Sequence, residues 1–377
     1  MKPDFLGEKP HVALAIGMGS FGGAEYYLEL LASQLAIAGF STTVVGNFEA
    51  ERLMGSDYVP IDVGPKWSRR TLIRSVFRAR KERRLYLREL AELDPDVAHL
   101  QFKREQILLT RSTSRTSRVV WTEHGVFPGG VFGALIRLPY RRASKHVETI
   151  ICVSHQVRHS LTHRVKVDPS KLVVIDNPVD LRSFKFTDRQ RADAREQLGI
   201  EEEDVVVLTL SRLEHSKGID RVIDAFKLLP AKFRLLIVGE GNDIEKLKTK
   251  ASRESGSRVE FLGFRKDVHL PLSAGNIFIL PSRAEAREGL PMSLLQALAS
   301  NLPFVVTHDS GLAEFASTWG GVAVEPTPSS IAAALEEVAA EWDRHSINAG
   351  MAAVQFDMDL WRDRSADVFR KAEDRSI

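Results

Sequence analysis

Cysteine is nearly absent: the chain has one, Cys152, in 377 residues. A disulfide framework is therefore excluded. Cys152 lies in the apolar run ETIICVS and reads as a buried packing residue. Long apolar runs are missing too, and none approaches the ~18 residues that a membrane-spanning helix needs. The opening stretch, MKPDFLGEKPHVALAIG, is too polar for a secretory leader and leads directly into a strand. The expected compartment is the cytoplasm. The 11 histidines include no HExxH motif and no Cys/His cluster, which argues against a protein-held metal. There is no G-x-S-x-G elbow and no Walker A lysine loop. No nucleic-acid motif and no aromatic stacking array appears.

What is present is the composition of a globular protein, 44% apolar and 27% charged. The length suits two α/β domains better than one core. The net charge of +2 hides an asymmetry: residues 1–182 hold 27 Lys+Arg against 19 Asp+Glu, a net +8, and the remainder holds 25 against 31, a net −6. The basic half could face an anionic surface. Along residues 1–182, HVALAIG, STTVVG, VAHL, SRVVWTE, TIICVS and LVVID read as strands, and AEYYLELLASQLAIAG reads as a helix. After a polar stretch near residues 180–200 the pattern restarts, with strands VVVLTLSRL, FRLLIVGEG, VEFLG, NIFILPS and PFVVT between helical segments. Apolar runs alternating with helices imply two doubly wound parallel sheets, each covered on both faces. Ligands of such sheets lie beyond the carboxyl ends of the strands.

Four loops carry candidate chemistry. In PSRAEAREGLPMSLLQALASNLP, residues 281–303, a strand ends at Pro281 and a helix begins near Pro291. Glu288 stands at the mouth of that helix, and Gln296 lies on it. A helix N-terminus attracts an anion while side chains grip hydroxyls, which suits a sugar joined to a phosphate. In SRLEHSKG, residues 211–218, Arg212 and Lys217 follow another strand. A forked guanidinium and an ammonium there suit a diphosphate, although a solvated charged loop is the plain alternative. In WTEHG, residues 121–125, His124 ends a strand and is either a donor to substrate or a satisfied loop histidine.

The fourth loop, GMGSFGGAE, contains Gly17, Gly19 and Gly22 in the G-x-G-x-x-G spacing of dinucleotide sites. The acidic residue expected at the end of the second strand is missing, since Glu49 comes late. A nicotinamide-dependent oxidoreductase is thus one alternative. A glycine loop that lets backbone N–H groups approach a phosphate or sugar is the better reading, and a tight turn remains open. The basic run 67–90, with Arg69, Arg70, Arg80, Arg83 and Arg84 among Leu72, Val76, Leu85 and Leu87, suits an amphipathic helix on anionic lipid. A nucleic-acid-binding module is its rival, and a solvated face is the plain reading. A second mixed segment, FPGGVFGALIRLPYRRASKH, could shape an acceptor pocket or touch a membrane.

In order along the chain, GGAE, the His124 segment, ICVSHQVRHSL, VIDNPVDLRSF, SRLEHSKGIDRVIDAF, IVGEG, VEFLGF and the Glu288 segment resemble glycosyltransferase family 4. That resemblance implies the GT-B fold, two Rossmann-like domains, here 1–182 and 183–355. It also implies a last segment, 356–377, crossing back to the first domain. It implies a retaining, metal-independent transfer of a hexose-type sugar from a UDP- or GDP-linked donor, with no cofactor. Arg212 and Lys217 would bind the donor diphosphate, Glu288 the sugar hydroxyls and Gln296 the ribose. Gly239, Gly289, Leu290 and Pro291 would complete the donor site, Gly22 and Gly23 would close on the donor, and His124 would touch the transferred sugar. The expected acceptor is a lipid-linked glycan of a cell-surface polysaccharide, reached at the inner membrane face, with no nucleic-acid partner.

Two positions depart from the family pattern. The second glutamate of E-x7-E is Gln296, which exchanges a charged hydrogen bond to ribose for a neutral one at about 1 kcal/mol. The usual Asn-Gly before the linker is Asn177-Pro178, and proline's fixed φ should stiffen that hinge.

Overall fold

Val12 to Ile16 and Val206 to Leu208 are completely shielded from solvent. A strand buried along every residue has cover on both faces, and parallel sheets in α/β proteins are built that way. The structure, a computed structural model, describes residues 9–17, 22–48, 53, 55–61, 72–254 and 258–370. Side chains of the helix beginning at Leu72 are described from Arg78 onward. The chain divides into two compact units, Met1–Asp176 with Asp359–Ile377, and Asn177–Met358.

The first unit contains β1 (His11–Ile16), β2 (Ser41–Gly46), β3 (Asp57–Pro60), β4 (Val97–Leu100), β5 (Arg118–Glu123), β6 (Thr149–Cys152) and β7 (Leu172–Val174). Their order is β3-β2-β1-β4-β5-β6-β7, and every pairing is parallel. The helices used below are α1 (Gly23–Ile37), α2 (Leu72–Leu93), α3 (Lys103–Thr113) and α4 (Gly130–Ser144). The second unit contains β8 (Val205–Leu210), β9 (Phe233–Val238), β10 (Val259–Gly263), β11 (Ile277–Leu280), β12 (Phe304–Thr307) and β13 (Val322–Val324). Their order is β10-β9-β8-β11-β12-β13, again all parallel. Each sheet therefore has a point where successive connections depart to opposite sides, between β1 and β4 and between β8 and β11. Crevices for ligands form at the carboxyl ends of such pairs.

Helix Met358–Phe369 belongs to the first unit from Asp359 on. Trp361 sets its ring edge-on to Tyr27, with centroids 5.4 Å apart. Arg118 donates to the carbonyls of Val368, Phe369 and Arg370, at the end of that helix. Two strands escape a reading from sequence: β3, DYVP, has no apolar run, and β13, VAV, is only three residues long. β3 is an edge strand closed by Pro60, where the missing N–H costs least.

The core of the first unit holds a histidine. His99 is fully buried and shares a 2.8 Å hydrogen bond with Thr122, and its Nδ1 has no partner among the described residues. Burial lowers its pKa to about 3, against 6.5 for a free imidazole. The unfolded chain therefore binds the extra proton first as pH falls. Stability is complete above pH 6.5 and declines between 6.5 and about 3. Relative to His99→Gln, the wild type should lose about 2 kcal/mol of unfolding free energy between pH 7 and pH 5. Denaturant unfolding at the two pH values checks this, and parallel pH profiles would refute it.

Candidate functional site

In the second unit β8 and β11 are neighbours, so the loops that follow them open at the same edge of the sheet. The β8 loop runs through Ser211 and Arg212 into a short 3-10 turn, His215–Lys217, closed by Gly218. Gly218 has φ +69°, and a Cβ there would lie 2.0 Å from the Pro281 carbonyl. Glycine thus lets the β8 loop press against the β11 loop. The β11 loop makes its own 3-10 turn at Ala284–Ala286 and then passes Arg287, which has φ +53°. A left-handed conformation is uncommon for a residue with a side chain, and here it immediately precedes Glu288.

The two loops meet in an ion pair. Lys217 Nζ donates to Glu288 Oε1 at 2.7 Å, and Ser282 Oγ donates to the same oxygen at 2.6 Å. Both charged side chains are largely removed from water, Lys217 at 16% exposure and Glu288 at 8%. A buried pair of this kind is weak evidence for stability, because desolvation offsets much of the attraction. It does hold an ammonium and a carboxylate in fixed positions at the carboxyl ends of β8 and β11. Arg212 stands beside them with 55% of its side chain exposed, in contact with Glu214 at 2.8 Å. Its guanidinium keeps most of its donors free for an incoming anion.

Paired forks hold this arrangement from behind. Arg221 grips both carboxylate oxygens of Asp309 at 3.0 and 2.8 Å and reaches the Pro281 carbonyl. Arg283 grips both oxygens of Asp220 at 2.8 and 2.7 Å and donates to the His215 carbonyl. Burial alone would raise the Asp309 and Asp220 carboxyls. The arginine forks override it and hold both below the usual carboxylate range. Thr307 Oγ1 donates to the Ser282 carbonyl, fixing the serine that supports Glu288. None of these five partners was singled out from sequence. They lie in three segments, 220–221, 283 and 307–309, that only the fold assembles.

Gly289 and Leu290 are buried behind Glu288, and Pro291 caps helix Met292–Ala299. Gln296 is half-buried on that helix. Asn177 is buried and donates to the Leu290 carbonyl at 2.6 Å, which ties the start of this unit to the Glu288 loop. Sequence reasoning placed Asn177 in a hinge and missed that grip. Gly239, at the end of β9, has φ +134°, and a Cβ would lie 1.9 Å from the Ser211 carbonyl. The fold alone accounts for glycine there.

The glycines of the first unit divide by the same test. A Cβ on Gly17 would lie 1.8 Å from Nη2 of Arg104 and 2.5 Å from a Glu105 oxygen. The space above Gly17 is thus taken by a buried side chain of α3, where the dinucleotide reading needs a pyrophosphate. Gly19 lies outside the described residues. Gly22 caps α1 with an extended backbone, φ −165°, so nothing in its own conformation demands glycine. At Gly23, no described atom lies within 4 Å of a Cβ. His124, half-buried at the end of β5, hydrogen-bonds Gln101 at 2.7 Å and meets the Tyr27 ring edge-on at 4.8 Å.

The basic run forms α2, whose inward face is Glu82, Tyr86 and Leu90. Leu85 and Leu87, expected as its apolar points, are only half-buried beside them. Arg80 and Arg84 are exposed. Arg83, also exposed, bridges to α3, donating to the Leu108 carbonyl and to Ser112. Arg69 and Arg70 lie outside the described residues. Among the described residues no helix is long and apolar enough to cross a membrane.

Comparison with known proteins completes the picture. Residues 21–183 match the model of Glycosyltransferase Family 4, and residues 190–349 match that of Glycosyl transferases group 1. The chain belongs to glycosyltransferase family 4. Its two parallel-sheet α/β units have the GT-B architecture of solved glycosyltransferases. HepE from Anabaena, solved in complex with UDP, superposes with a TM-score of 0.80 at 17% identity, over 95% of this chain and 99% of that one. WaaG, a glycosyltransferase involved in lipopolysaccharide biosynthesis, superposes with a TM-score of 0.72 at 19% identity, over 96% of this chain and all of WaaG. At such identities the likeness shows the fold alone. Among curated relatives, the UDP-Gal:alpha-D-GlcNAc-diphosphoundecaprenol alpha-1,3-galactosyltransferase of Escherichia coli is 28% identical over 231 residues, 57% of this chain and 58% of that enzyme. The putative teichuronic acid biosynthesis glycosyltransferase TuaC of Bacillus subtilis is 24% identical over 290 residues, 75% of this chain and 68% of that one. The chain thus spans little more than half of the first of these relatives.

Proposed function

We propose that this protein is a retaining, metal-independent glycosyltransferase that moves a hexose-type sugar from a UDP- or GDP-linked donor to a lipid-linked glycan. The observation that carries the reading is the buried Lys217–Glu288 pair, held by Ser282 at the carboxyl ends of β8 and β11, with Arg212 open beside it. A leaving nucleoside diphosphate gains negative charge as the glycosidic bond breaks. Lys217 and Arg212 supply fixed positive charge at that place, the work a divalent cation does in other phosphate chemistry. Glu288, already oriented by two donors, can accept hydrogen bonds from sugar hydroxyls on its second oxygen. Retention follows if the acceptor hydroxyl enters on the face the diphosphate leaves, with that phosphate helping to take its proton.

The nucleotide side is assigned to helix Met292–Ala299, where Gln296 reaches the ribose. The roles of Gly22, Gly23 and His124 toward the sugar rest on the family resemblance. It is in keeping with them that packing among the described residues does not require glycine at Gly23. A lipid-linked acceptor draws support from the Escherichia coli relative, a galactosyltransferase named for a GlcNAc-diphosphoundecaprenol acceptor. Such an acceptor implies work at the inner membrane face.

Thermal-shift titration with a panel of nucleoside diphosphates and their sugars, with and without EDTA, tests this. Stabilisation by one nucleoside diphosphate, unaffected by EDTA, is expected. Binding of a nicotinamide cofactor with no nucleoside-diphosphate response would contradict it. Replacing Gln296 with Glu should preserve turnover and tighten donor binding by about 1 kcal/mol, a few-fold in donor KM. Complete loss of activity would show that the amide has a separate role.

A further inference from the structure

An open cavity of about 640 Å³ lies in the first unit, between the turn at Phe127–Gly130, α4 and residues 163–166. Its charged lining is of one sign. Arg137, Arg141, His163, Arg164 and Lys166 face it, and no carboxylate does. Among the described residues, the side chains of Arg137, Arg141, Arg164 and Lys166 make no hydrogen bond or ion pair. Arg137 and Arg141 are one helical turn apart on α4, a spacing at which like charges repel. Such a cluster is unfavourable for the protein alone and becomes favourable around a polyanion.

The local structure is shaped to leave this opening. Gly130 has φ +65°, and a Cβ on Gly133 would lie 1.8 Å from the Pro128 carbonyl. The turn can therefore fold back on the first turn of α4 only because both are glycine. The N-cap of α4 is Gly129, with no side-chain cap and no acidic residue in the first turn. The free N–H groups of that fifteen-residue helix start at the cavity wall. On the other side, a π-helical turn, Leu161–Val165, ends in Lys166 with φ +63°. Single π-turns and left-handed non-glycine residues occur often at functional sites.

The same helix also carries an apolar stripe. Val131, Leu135 and Leu138 are 77%, 59% and 51% exposed, and their spacing places them on one face. The stripe runs beside the face bearing Arg137 and Arg141, about a quarter turn away at 100° per residue. Basic groups around a cavity with an exposed apolar stripe alongside match an anionic head joined to a hydrocarbon chain.

We propose that this cavity binds the phosphate or diphosphate head of a lipid-linked acceptor, with the lipid chain lying along Val131, Leu135 and Leu138. The proposal rests on the transferase reading for the identity of the acceptor but assigns it a site of its own. It also moves lipid contact from α2, the helix suggested by arginine density, to α4.

Calorimetric titration of the full chain with farnesyl diphosphate, pyrophosphate and farnesol tests the assignment. Farnesyl diphosphate should bind more tightly than either fragment. The double variant Arg137→Glu with Arg141→Glu should weaken it by at least about tenfold through lost charge-assisted contacts. Leu135→Ser should weaken farnesyl diphosphate but leave pyrophosphate unchanged. Pyrophosphate binding as tightly as farnesyl diphosphate would overturn the proposal in favour of a free-anion site. Full farnesyl diphosphate affinity in the charge-reversed variant would overturn it outright. Both variants should keep the wild-type response to nucleoside diphosphates. A wild type with no such response defeats the transferase reading and leaves the farnesyl diphosphate result to stand or fall separately.

Discussion

Replacing Lys217 with alanine should remove most sugar transfer, by at least about a hundredfold in kcat, the scale seen when a charge-stabilising group is lost from a preorganised site. The ammonium is the member of the buried pair that can neutralise a departing diphosphate, and no other lysine appears in the β8 and β11 loops. Glu288→Gln should lower turnover to a similar degree while keeping the shape of the site. It removes the charge that orients Lys217 and half of the capacity to accept from sugar hydroxyls. Glu288→Ala is a poorer probe, because it leaves the Lys217 ammonium desolvated without a partner. Steady-state kinetics paired with thermal melts separates the effects. Near-normal turnover in a folded Lys217→Ala and a folded Glu288→Gln would remove the site assignment.

The second large effect is on stability and lies in the other unit. Arg104→Ala should destabilise it by about 3–5 kcal/mol, the cost of stranding a buried charge. Arg104 is 2% exposed and Glu105 1%. The guanidinium donates twice to one Glu105 oxygen, at 3.0 and 2.6 Å, and lies 3.8 Å from Glu82. Tyr86 OH donates to the Ile16 carbonyl at 2.8 Å and touches the same Glu105 oxygen at 3.4 Å. Burial disfavours the charge on Arg104, yet Glu105 more than compensates and keeps it protonated. Removing the arginine leaves Glu105 in the core beside β1 with nothing to balance it. The double change Arg104→Met with Glu105→Gln should recover a large part of the loss, since neither charge then remains. Denaturant unfolding of the two variants decides the matter. A loss under about 1 kcal/mol in Arg104→Ala would mean that the pair is hydrated and not buried.

These two sites differ in how far they were legible in sequence. Lys217 and Glu288 each follow a strongly apolar strand and precede a helix, and neighbouring strands in a parallel sheet open their loops at one edge. Local pattern therefore sufficed to propose them together. Arg104 and Glu105 lie in KREQILLTRST, where adjacent charges look like a solvated helix face. Only the packing of α3 against Gly17 shows that they are interior, and it also accounts for the dinucleotide-like glycine without a dinucleotide. The forks Arg221–Asp309 and Arg283–Asp220 join residues 88 and 63 positions apart, beyond any periodicity argument. The basic character of the first unit was plain from composition. Arginine count singles out α2, whereas among the described residues the arginines that line an opening include Arg137 and Arg141 of α4.

The central claim is that the second unit holds a nucleoside diphosphate with Lys217 and Arg212 at the carboxyl ends of β8 and β11. Its most direct test is the affinity of the wild type and of Arg212→Ala and Lys217→Ala for UDP and GDP, measured without acceptor. The account predicts that one of the two nucleotides binds and that each substitution weakens it by about tenfold or more, as expected for the loss of a charge-assisted contact to phosphate. Unchanged affinity in both folded variants would contradict it.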